Sequence, residues 1–165
     1  MNEKQTYALN KIISDLPDDY KEAFREVAEY AISLGYKPVL KGSRNTYVDF
    51  IKSKVKKMIM KIDTDPKFPP RLAIKFFALN KYTGIFNDAI IFRIATWDRL
   101  GYKTKCGGCG HCDGTIGYKF SLHSGRNGFL CGNSVLDLPG FCADHIVAVK
   151  EALQVQDEFF MKNYN

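Results

Sequence analysis

Four of the chain's five cysteines gather in one short stretch, and their spacing constrains what that stretch can become. Cys106-Gly107-Gly108-Cys109-Gly110-His111-Cys112 is a C-x2-C-x2-C run, and eighteen residues separate Cys112 from Cys131. Between them, Ile116 to Leu122, then Ser124-Gly125-Arg126-Asn127-Gly128, then Phe129 to Cys131 reads as strand, turn, strand. A hairpin returns its second strand to the start of its first, so Cys131 can close a four-thiolate site begun by Cys106, Cys109 and Cys112. A tight C-x2-C turn aims both sulfurs at one point, and Gly107, Gly108 and Gly110 relieve crowding there. Four thiolates in a tetrahedron suit a structural zinc ion, which is the expected cofactor.

Two other arrangements compete with this one. Cys142-Ala143-Asp144-His145 is a C-x2-H half-site at a helix start, which could join Cys131 and one C-x2-C. Against it, Cys142 reads as a small buried hydrophobe and His145 as a polar residue of the first helical turn. His111 lies between two ligands, and His123 lies near the hairpin turn; neither is placed to bind. An iron–sulfur cluster also uses C-x2-C-x2-C with a remote fourth cysteine. The ferredoxin spacing, however, needs the fourth cysteine three residues on and followed by proline. Residues 113–116 contain none, and Gly132 follows Cys131.

An odd number of cysteines, clustered rather than dispersed, favours metal binding in a reducing compartment over disulfides. Met1-Asn2-Glu3-Lys4-Gln5-Thr6 lacks the basic-then-apolar layout of a signal peptide. No run approaches the roughly 18 apolar residues of a membrane span. The expected location is the cytoplasm, with no membrane partner. The formal charge of +6 is unevenly spread: net −3 over residues 1–35, +11 over 36–105 and −2 over 106–165. A basic middle third is a potential footprint for an anion or a nucleic acid, and equally a solvated lysine face.

The predicted fold class is α+β: an N-terminal helix, an antiparallel three- to four-stranded sheet, a buried helix, then the cysteine hairpin and a C-terminal helix. Residues 3–14 carry a weak apolar stripe of Leu9, Ile12 and Ile13. After Ser14-Asp15 and Pro17, apolar residues from Tyr20 to Ile32 recur at helical steps, and Gly35 is placed to stop that helix. Thr46 to Lys52, Lys57 to Ile62 and Arg71 to Ala78 alternate as strands do. The second of these puts Met58, Met60 and Ile62 on one side. Turns at Gly42-Ser43 and Ser53 make a hairpin of the first pair. Lys57, Lys61, Arg71 and Lys75 are expected to share the non-core face. Asp63 and Asp65, next to Pro66, read as a turn or as a cation seat. Tyr82 to Leu100 is a broadly apolar helix containing Trp97, and a last helix runs from about Cys142 to Met161. The one boundary lies near residue 104, between an α+β body (1–104) and a metal-binding hairpin with its C-terminal helix packed on that body (105–165).

No phosphate-binding glycine loop, G-x-S-x-G elbow or H-E-x-x-H motif is present, so no catalytic residue is named. The order of helix, strands, helix and cysteine hairpin resembles small uncharacterised bacterial α+β domains. Over residues 106–132 it is similar to a zinc-ribbon or rubredoxin-like knuckle, departing from the ribbon in offering Cys131 alone where a second C-x2-C is usual. That resemblance implies no activity and carries over no functional residue. The expected function is therefore a zinc-stapled binding module for a small anionic or organic ligand, or for a partner. The alternatives are nucleic-acid binding through residues 36–105, where Tyr36, Tyr47, Phe50, Phe76, Phe77 and Tyr82 interleave with the basic residues, and an iron–sulfur or thiol redox protein.

Overall fold

The computed structural model describes residues 1–42, 46–101, 114–122 and 124–164. The chain opens with α1 (Glu3–Ser14), whose first turn is closed reciprocally by Asn2 and Gln5. Gln5 N–H donates to Asn2 Oδ1 at 3.0 Å, and Asn2 N–H donates to Gln5 Oε1 at 3.1 Å. Helix α2 (Asp18–Ser33) begins on the acidic pair Asp18-Asp19, which suits the positive end of a helix dipole. It ends where the sequence places Gly35, at φ +91°. There Tyr36 N–H reaches back to Ala31 C=O at 3.1 Å and Gly35 N–H to Ile32 C=O at 2.8 Å.

Five strands form one antiparallel sheet in the order β1 (Lys37–Lys41), β2 (Tyr47–Lys52), β3 (Lys57–Asp63), β4 (Arg71–Ile74) and β7 (Leu136–Asp137). The α+β class and the antiparallel pairing are as the alternation predicts. The sheet exceeds the expected three to four strands because two short edge strands join it. Strand β1 contains Pro38, which has no N–H and is tolerated at a sheet edge. Strand β7 is only two residues long, too short to carry an alternation signal.

One face of the sheet is the core. Val48, Phe50, Met60, Ile62, Leu72 and Ile74 are all fully buried, and the register sets Val48 against Ile62, Phe50 against Met60, and Ile62 against Leu72. Fully burying side chains of this kind contributes about 1.5–3 kcal/mol each. The expected grouping of Met58 with Met60 does not hold. A bulge lets Phe50 oppose Met60 while Ile51 opposes Met58, so Ile59 is the extra residue. A bulge reverses the phase of alternation, so Met58 leaves the Met60 side and is only half-buried.

Helix α1 packs on β1 and β2, and α4 (Ile146–Asn163) packs on β3 and α2. Helix α3 (Ile85–Arg99) lies by β7. The hairpin β5 (Gly117–Ser121) and β6 (Asn127–Cys131) makes a second, two-stranded sheet. The sequence boundary near 104 falls between α3 and this hairpin. Beyond it, β7 completes the main sheet, and Tyr118, Leu130, Leu136, Val149 and Phe160 belong to the same core as the body.

Asp157, buried on α4, ties three elements together. It accepts from Lys52 Nζ at 2.7 and 2.9 Å and from the Tyr36 hydroxyl at 2.9 Å. Both side chains of the ion pair are nearly enclosed, so removing one leaves a buried charge without compensation. Asp157→Ala is expected to lower the unfolding free energy by about 3 kcal/mol. Lys150→Ala, which breaks the exposed pair with Glu26, should cost less than about 1 kcal/mol. Urea denaturation of the two variants checks the contrast, and equal losses would refute it.

Candidate ligand cleft and cysteine hairpin

The hairpin is fixed to the body by an aromatic cluster. Tyr118 on β5 is fully buried, with ring centroids 4.9 Å from Phe76, 5.8 Å from Phe77 and 6.2 Å from Tyr82. Edge-to-face pairs of this kind contribute beyond the area they bury. The Tyr118 hydroxyl donates to Ser134 C=O at 3.0 Å, which ties β5 to the turn after β6. Burial raises its ionisation well above the usual phenol range. At the far end, Arg126 forms a two-pronged bridge to Asp98 of α3, at 2.5 and 3.0 Å. Two glycines let the hairpin's own rings fold over it. A Cβ at Gly128 would stand 2.3 Å from the Phe120 ring, and one at Gly117 would stand 2.6 Å from the Phe129 ring.

A cleft of about 840 Å³ opens where this hairpin meets the body. Its walls come from four places: the loop after β4 (Phe77, Leu79, Asn80, Lys81, Tyr82), α3 (Asn87, Ile90), β5 with its lead-in, and the end of α4 (Phe159, Asn163). Among the described residues the lining includes Lys81 and Lys119 and no carboxylate. The volume is in the range of small-molecule sites, about 300–1,000 Å³. Burial pushes the Tyr82 phenol up to about 12, tempered by the Lys119 backbone N–H. Sequence reading gave no sign of this site, because its residues span Phe77 to Asn163 and only the fold assembles them.

The cysteine expectations fall in two groups. Cys106, Cys109 and Cys112, with His111 and His123, lie outside the described residues. Cys131 ends β6 opposite Gly117, which stands five positions after Cys112 in the sequence. Asn133 N–H approaches its sulfur at 3.5 Å, and Ser134 N–H donates to its carbonyl at 3.1 Å, closing a tight turn. A backbone N–H directed at sulfur favours the thiolate that a metal requires.

Cys142 is exposed, contrary to its reading as a buried hydrophobe. Cys142 N–H donates to His145 Nδ1 at 3.2 Å, and the sulfur lies 3.3 Å from that same nitrogen. The two residues cap the short turn that leads into α4. Among the described residues, no three His, Cys, Asp or Glu side chains gather as a metal site, so Cys131 does not meet the Cys142–His145 pair.

The expected basic face is not one. Lys75 is 3% exposed, buried rather than on the non-core side. Beyond Ile74 the chain leaves the strand, and Lys75 passes beneath the Phe160 ring, with Nζ 6.0 Å from the ring centroid. The other three cations are engaged. Lys57 lies over Tyr164 at 3.9 Å, Lys61 over Tyr47 at 3.8 Å, and Arg71 pairs with Asp63 at 2.6 Å. Asp63 also accepts from Asp65 N–H at 3.2 Å, so the Asp63–Asp65 segment is the turn reading, with Arg71 as its cation. Of the six aromatics expected to interleave with these charges, Tyr36, Phe50, Phe76 and Phe77 are buried.

No protein-family model, curated protein or solved structure matches the chain. Among the described residues no helix is long and apolar enough to cross a membrane.

Lys75 supplies a pH test of this geometry. Burial lowers its ammonium from 10.5 to about 8, Lys57 adds to the fall, and Cys131 opposes it. Between those values the unfolded chain holds a proton that the folded one lacks, so stability rises with pH. Below pH 8 the folded state carries the whole cost. Lys75→Met should therefore stabilise the protein at pH 7 by about 2–3 kcal/mol and remove the rise between pH 8 and 10. Urea unfolding across that range measures both. A variant that is less stable at pH 7, with the same slope, would refute it.

Proposed function

We propose that this chain is a small ligand-binding module. Its hairpin is stapled by zinc on Cys106, Cys109, Cys112 and Cys131, and its cleft takes a small organic anion. The observation that carries the reading is the cleft's lining among the described residues: two lysines, several neutral amides and hydroxyls, aromatic walls and no carboxylate. Such a site attracts negative charge and supplies few repulsive contacts to it. Nucleic-acid binding through residues 36–105 is less well supported, because the stacking rings are mostly buried and the cations of the sheet are engaged.

The zinc part rests on spacing and on the one thiolate candidate within the described residues. Cys131 has a directed N–H at its sulfur and stands beside the strand that follows the other three cysteines. Zinc held by four thiolates would close the hairpin's open end and do no chemistry, since no coordination position stays free. Thiolates kept this way imply a reducing compartment, and the cytoplasm is the proposed location.

Elemental mass spectrometry of anaerobically purified, tag-free protein should find about one zinc per chain. Chelation should lower the melting temperature, because forming such a site is coupled to folding. Iron with acid-labile sulfide would replace the staple with a cluster; unchanged melting after verified zinc loss would refute its structural role. For the cleft, a saturating small anion should raise the melting temperature of the wild type. The double variant Lys81→Ala/Lys119→Ala should lose that response. An equal shift in both proteins would place the anion elsewhere.

A further inference from the structure

The free edge of β5 narrows the class of ligand. In an antiparallel pair, residues alternate between those that exchange both backbone bonds with the partner and those that exchange none. Gly132 N–H donates to Ile116 C=O at 3.1 Å, and Leu122 N–H donates to Arg126 C=O at 2.9 Å. Those two bonds fix the phase. Tyr118 and Phe120 bond into β6, while Gly117, Lys119 and Ser121 turn their N–H and C=O groups away from it. The same three residues line the cleft. The floor of the cleft is thus a strand edge with backbone donors and acceptors.

That edge suits a short, planar partner better than an added strand. Only three residues of β5 face outward, a short run for an added strand. Among the described residues the Lys119 C=O and the Ser121 N–H meet no backbone partner, one acceptor and one donor on the same side of the strand. A ring edge bearing an adjacent donor and acceptor, such as an amidine or lactam, complements that pair. Tyr82, Phe120 and Phe159 offer aromatic surface for the face of such a ring. Asn80 and Asn87 bring carboxamides able to bond its remaining edge, and Lys81 with the Lys119 side chain supplies charge for an anionic group.

We infer that the cleft binds a heteroaromatic anion of nucleoside-monophosphate size, its ring edge read by the β5 backbone at Lys119 and Ser121 and its anionic group held by Lys81 and Lys119. The inference rests on the cleft being a ligand site, as proposed above, and adds the chemical class.

The test is isothermal titration of the metal-loaded full chain. Its probes are adenosine, guanosine and uridine 5′-monophosphates, the matching nucleosides, ribose 5-phosphate and citrate. At least one monophosphate should bind tenfold or more tightly than both its nucleoside and ribose 5-phosphate. Ser121→Pro deletes only an outward N–H on an exposed residue, and should weaken that monophosphate about tenfold while leaving citrate unaffected. Lys81→Ala should weaken all the anions, and it serves as the second variant if the proline disturbs the hairpin. Ribose 5-phosphate or citrate binding as tightly as every monophosphate would overturn the ring inference and leave the anion site standing. No binding by any anion would overturn both.

Discussion

The burial of Tyr118 is the contact on which the rest of this architecture depends. Its ring is enclosed by Phe76, Phe77 and Tyr82, and its hydroxyl reaches the Ser134 carbonyl. A two-stranded hairpin is marginal by itself in water, because it has one face to bury and nothing to bury it against. Docking that face on the loop after β4 provides the missing surface. It also fixes the free edge of β5 opposite that loop, leaving the cleft between them. The same placement sets Cys131 against Gly117, five positions after Cys112 in the sequence.

The cations of the main sheet's central strands are taken up by the fold itself. The middle third of the chain carries a net +11, yet the sheet cations expected to share a face are each absorbed. Lys61 and Arg71 answer Asp63, Lys57 and Lys61 lie over tyrosine rings, and Lys75 is buried. Lys52 is drawn inward to Asp157. Ion pairs at half-exposed sites contribute little to stability, but they remove charge from the field that a distant polyanion would meet. Local positive charge then matters most where no carboxylate answers it, as among the described residues that line the cleft.

Polar groups in the interior mark where the structure departs from an apolar core. Gln156 is fully buried; its Oε1 accepts from Ala78 N–H at 3.1 Å, and its Nε2 has no partner among the described residues. Lys75 is held against an aromatic ring with its ammonium form disfavoured. Both groups lie on elements that flank the cleft loop, and both cost stability that an apolar residue would not. Asp157 shows the opposite case, a buried charge with Lys52 and Tyr36 both donating to it.

Much of the local structure was legible in the residues. The stop at Gly35, the alternation of the central strands and the hairpin turn are each set by neighbours within a few positions, so sequence alone specifies them. The α+β class follows, because period-two and period-3.6 patterns require different partners. The bulge at Ile59, the two-residue β7 and the burial of Lys75 were not legible: each is decided by what packs above it. The cleft belongs to that second group. Asn80, Lys119 and Asn163 carry no local signal, and they share a site only because the Tyr118 contact brings their elements together. The sequence determined the helices, the central strands, the hairpin and which cysteines are spaced for metal; tertiary packing alone decided which charges are spent and where the cleft opens.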